Sequence, residues 1–70
     1  MKHLSKIRNH LKIKLRTHKL LGKCYHEIKD FDKAKDNYMK MLTLAWYQNN
    51  NNYELMAYVF IYYIFLIFYY

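Results

Sequence analysis

The side chains that could ligate a metal or carry out nucleophilic chemistry are few. Histidines stand at His3, His10, His18 and His26, spaced by 7, 8 and 8, and the only cysteine is Cys24. A tetrahedral metal site needs several donors converging on one point, whereas His3 and His10, two helical turns apart, would lie about 10 Å from each other. Cys24 and His26 are two positions apart and would point to different sides of a helix. No CxxC or HExxH spacing, no Ser–His–Asp order and no glycine-rich loop is present, Gly22 standing alone. The histidines therefore read as structural or solvated and Cys24 as a small packing residue. We assign no catalytic, cofactor-binding or metal-ligating residue, and the chain reads as a non-enzyme.

Charge is the second source of chemistry. Residues 1–23 carry Lys2, Lys6, Arg8, Lys12, Lys14, Arg16, Lys19 and Lys23 and no acid, residues 24–40 carry four charges of each sign, and Glu54 is the one charge thereafter. The net charge of +7 thus comes from the first third. Clustered lysines can displace counterions from phosphates or lie against acidic protein or lipid surfaces. Base readout would need an ordered reading face, which is not identifiable here, so nucleic acid is disfavoured as a partner. The plainer reading is a solvated helix face. Phe, Tyr, Met, Ile, Asn and Lys make up 39 of the 70 residues, the bias of AT-rich coding DNA, and that bias alone enriches lysine.

These residues must be positioned by a small scaffold. Seventy residues allow one domain at most, and a lone cysteine permits no internal disulfide. No proline, one glycine and 54% hydrophobic residues exclude loop-rich, collagen-like and intrinsically disordered chains. Leu4, Ile7, Leu11, Leu15, Leu21, Tyr25 and Ile28 recur at steps dominated by three and four, predicting a helix from about Lys2 to Ile28. Gly22 costs about 1 kcal/mol inside it and implies close approach of a neighbouring helix. After a break at Lys29–Phe31, Asp30 or Asp32 caps a second helix, Asp32 to Tyr47, with Ala34, Tyr38, Met41, Leu42 and Ala45 on its apolar face and an Asp36–Lys40 pair on its other face. The run Asn49–Asn52 reads as a connection. Ala57–Tyr70 contains no charge, and periodicity there is uninformative because nearly every position is apolar. A buried helix, a strand and an aggregating segment all fit such a run; helix is favoured.

At Leu21, Gly22 and Tyr25, followed by Phe31, Ala34, Tyr38 and Met41, the sequence resembles the tetratricopeptide repeat, a 34-residue helix–turn–helix unit. The resemblance makes these seven residues the framework that holds the pair together. It departs from the family pattern at His18 (usually Trp), at Lys29 (commonly Gly) and at Trp46 (often Pro). Ile61, Tyr62 and Phe65 repeat the Leu-Gly-Tyr positions 40 residues on, as a degenerate second copy in which Tyr62 replaces the glycine. The resemblance implies an all-α fold, a helix–turn–helix pair followed by an apolar third helix, as an incomplete α-solenoid fragment. It divides the chain into a basic helical arm (1–14), a helical hairpin (15–48), a linker (49–52) and an apolar helix (53–70). It implies a protein–protein interaction scaffold whose partners are other proteins or neighbouring repeats, with Lys19, Lys23 and His26 on the exposed face. One helix pair leaves apolar faces uncovered, so the chain is expected to lack a complete core of its own.

The tail carries a competing reading, a small membrane-associated protein. Leu55–Tyr70 would span about 24 Å as a helix against a hydrocarbon core of about 30 Å, and tyrosine prefers the interface. Burial against a partner or a second copy, and an end never selected to fold, are the other readings of this segment. Residues 1–23 contain no apolar run of the secretory kind, which with the single cysteine favours a reducing, cytoplasmic setting.

Overall fold

Two turns decide how this chain folds back on itself, and they are built alike. At the first, Lys29 takes a left-handed conformation (φ 65°). Its N–H bonds the His26 carbonyl at 3.0 Å, and the Asp30 N–H bonds the Tyr25 carbonyl at 2.8 Å. At the second, Asn49 is left-handed (φ 53°), its N–H bonds the Trp46 carbonyl at 3.1 Å, and the Asn50 N–H bonds the Ala45 carbonyl at 2.9 Å. Both are Schellman closures, which satisfy the last carbonyls of a helix through one left-handed residue. In each the next residue starts the following helix. The Asp30 carboxylate accepts from the Lys33 N–H at 3.4 Å, and the Asn50 side-chain oxygen accepts from the Tyr53 N–H at 3.3 Å.

The computed structural model describes the backbone of residues 2–69 and the side chains of residues 10–67; the side chains of Lys2, His3, Leu4, Lys6, Ile7 and Arg8, and Tyr70, which the sequence reading named, fall outside these limits. Among the described residues the chain is all-α: α1 (Lys2–Glu27), α2 (Phe31–Gln48) and α3 (Asn51–Tyr69). The short turns make successive helices antiparallel, and contacts such as Gly22 with Tyr38 and Trp46 with Glu54 keep that register. α1 is unbroken across Lys14 and Leu15, so the basic arm and the first helix of the hairpin are one element.

α2 is the central helix. Ala34, Tyr38, Met41, Leu42 and Ala45 are buried on it and meet Leu15 of α1 and Ala57 and Ile64 of α3. Its outer face carries the Asp36–Lys40 pair at 3.2 Å, worth a few tenths of a kcal/mol at this exposure. The apolar run of the last third is helical, as favoured. The expected linker 49–52 is corrected: Asn49 and Asn50 complete the reversal and α3 begins at Asn51. Asparagine is a poor interior helix residue, but first-turn N–H groups lack helical partners in any case, so Asn51 and Asn52 cost little there. The placement of Leu21 is a second correction. It is 40% exposed and lies outside the core, so it does not hold the helix pair together. No helix among the described residues is long and apolar enough to cross a membrane.

Candidate functional site

Gly22 and Tyr38 form the joint on which the rest depends. A Cβ at Gly22 would stand 2.7 Å from Cδ1 and 2.8 Å from Cζ of Tyr38, and nearer still to Cε1. The phenol ring therefore occupies the notch that the missing side chain leaves. The same ring stacks on Phe60 of α3, with centroids 4.8 Å apart and planes 19° from parallel. One ring thus ties α1 to α3 through α2. Tyr38 is 1% exposed, and its pKa is raised above the ordinary 10.0, burial being the larger cause and neighbouring Cys24 the smaller.

Beside this joint the sequence left Asn37 unremarked, and it is buried. Its amide donates to the Lys33 carbonyl at 2.9 Å, and its Oδ1 faces His18 Nδ1 at 3.1 Å. With the amide nitrogen already donating, Oδ1 accepts from His18, which places a proton on Nδ1 of that ring. His18 at the position where the resembled family usually carries Trp thus becomes a polar tie between α1 and α2.

On the α3 side of α1, Lys12, Arg16, Lys19 and Lys23 recur at i, i+4, i+7 and i+11 and make one stripe. Lys19 Nζ lies 5.8 Å from the Tyr53 ring centroid and Lys23 Nζ 5.7 Å from that of Phe60, within cation–π range. An open groove of about 690 Å³ runs here, lined by Lys12, Ile13, Arg16, Thr17 and Leu20 of α1 with Asn50 and Tyr53 across from them. No acidic residue lines it. Glu54 is engaged elsewhere, accepting from Trp46 Nε1 at 3.0 Å and from the Tyr58 hydroxyl at 3.5 Å.

Of the three partner-facing candidates, Lys19 and Lys23 share this stripe. His26 continues it in register, but its ring packs edge-on against Phe31, 5.5 Å away, at the hairpin end. Of the seven framework residues, Gly22, Ala34, Tyr38 and Met41 are buried, and Tyr25 and Phe31 pack partly buried against the core. Tyr62, in the glycine position of the second copy, is 64% exposed. Cys24 is free and exposed. Among the described residues no group of three or more His, Cys, Asp and Glu converges.

The basic stripe was readable from spacing alone. Its aromatic floor was not, because an almost wholly apolar α3 does not announce which face turns inward. Comparison with family models, with curated proteins and with solved structures gives no match for this chain.

Proposed function

We propose that the chain is a non-catalytic protein-binding module, a unit of tetratricopeptide type, that receives an acidic segment of a partner protein in the groove between α1 and α3. The observation that carries this reading is the groove itself, a rim of Lys12 and Arg16 beside Ile13, Leu20 and Tyr53 with no acid among its lining residues. Unopposed cations raise the local concentration of a negatively charged partner, and the apolar floor supplies the burial that charge alone does not. The repeat-type reading is supported by the seating of Tyr38 on Gly22 and by the order of the helices, α3 standing to α2 as the first helix of a following pair would.

The test is titration of the full chain with a fluorescent peptide rich in Glu and Leu, and with a Lys-and-Leu peptide of equal length. Only the acidic peptide should bind. The double variant Lys12→Glu, Arg16→Glu, the two basic residues that line the groove, should weaken it about tenfold or more, while Lys35→Glu, Lys40→Glu on the outer face of α2 should change it far less. Equal loss from both double variants would mean charge attraction without a groove, and no binding at all would end the proposal.

A further inference from the structure

The outward face of α3 is a different surface from the groove. Leu55, Tyr58, Val59, Tyr62, Tyr63 and Leu66 recur at i, i+3, i+4, i+7, i+8 and i+11, so they form one stripe. Each is between 36% and 64% exposed. At about 200 Å² per aromatic side chain and about three-quarters of that per aliphatic one, the stripe leaves on the order of 600 Å² of apolar surface open. That reaches the upper end of what a monomer of ordinary size exposes in one patch, and the lower end of what one partner contributes to a stable interface, about 600–1,000 Å².

The open area and the absence of charge on the stripe fit a second copy of this chain as its occupant, and the order of residues gives the register. Read about a point midway between Phe60 and Ile61, it is nearly palindromic. Leu55 matches Leu66, Tyr58 matches Tyr63, and Val59 matches Tyr62. An antiparallel two-fold pair centred there sets residue 55 of one copy against 66 of the other, 58 against 63 and 59 against 62, so that leucine meets leucine and tyrosine meets tyrosine. Charge placement agrees. No residue of α3 after Glu54 is charged, and the basic stripe of α1 lies on the opposite side of α3, where Lys19 and Lys23 cover Tyr53 and Phe60. Two copies can therefore join their α3 faces without bringing their net charges of +7 into contact. We propose that the α3 stripe is a self-association surface on which two copies of this chain pair as antiparallel helices about a two-fold axis near residues 60 and 61.

Sedimentation equilibrium of the full chain decides this. The unmodified protein should show a mass rising from one chain to two with concentration. Val59→Glu lies in the middle of the interface and should weaken dimerisation roughly 30-fold or more, with the helical circular-dichroism signal unchanged. Adding Tyr62→Lys to Val59→Glu should restore part of the association, because antiparallel pairing sets position 59 of one copy against position 62 of the other. In a parallel pair each position meets itself, and the double variant stays weakened, which overturns the proposal. A chain that is monomeric up to about 100 μM overturns it without any variant. So does a monomer that floats with phosphatidylcholine vesicles through the same stripe, which would make lipid the occupant.

Discussion

Substituting Gly22→Ala tests the joint between α1 and α2. In an isolated helix this change stabilises by about 1 kcal/mol, since alanine is the better helix former. Here the new methyl would press on the flat of the Tyr38 ring, with Cδ1 at 2.7 Å and Cζ at 2.8 Å, so the ring would have to withdraw by close to an ångström. It has little room, because it is 1% exposed and also stacks on Phe60 with centroids 4.8 Å apart. Overpacking costs about 1–3 kcal/mol, and a fully buried ring packed against both Gly22 and Phe60 sits near the upper value, about 3 kcal/mol. Setting the helix gain against it leaves a net loss of about 2 kcal/mol. Urea unfolding followed by far-ultraviolet circular dichroism should show this as a lower midpoint, and thermal unfolding as a fall of about 10 °C. In a Tyr38→Leu background the same substitution should be neutral or stabilising, giving a coupling of about 2 kcal/mol or more between the two positions. Stabilisation by Gly22→Ala in the unmodified chain would refute the reasoning, since it would mean that no ring occupies the notch.

Two further perturbations read other parts of the fold. Lysine is poorly suited to the left-handed conformation of residue 29, so Lys29→Gly should stabilise by about 0.5–1 kcal/mol in urea titration. Asn49→Gly should gain less, because asparagine already tolerates that region. The raised pKa of Tyr38 fixes the sign of a pH dependence. The folded state favours the neutral phenol, so this contribution to stability is fully present below 10.0 and is lost as pH rises through the higher folded value. The unmodified chain should therefore lose stability more steeply above pH 10.0 than Tyr38→Phe does, and equal slopes for the two would count against burial of that hydroxyl.

The first two helices were legible because local rules and packing agree. Their apolar residues recur at helical period, Asp30 was one of two named caps, and the Asp36–Lys40 pair follows from spacing. Gly22 was legible for the opposite reason: a residue costly in a helix interior called for a packing partner, and Tyr38 is that partner. Leu21 misled because a step of three or four from its neighbours fits a face without saying which face is covered. The Asn49–Asn52 run misled because composition signals a turn without giving its length, and one left-handed residue with one cap completes this reversal.

What the sequence determined by itself is what neighbours in the chain decide: the first two helices, the turn between them and the concentration of charge in α1. Only the tertiary structure decided which faces meet. Helical period gives the angle of each side chain about its own axis, but it does not give the rotation of one helix against the next. In α3, where almost every residue is apolar, any rotation would bury grease. The seat of Tyr38 between Gly22 and Phe60 fixes the rotation, and with it the aromatic floor of the groove and the palindromic stripe left facing outward.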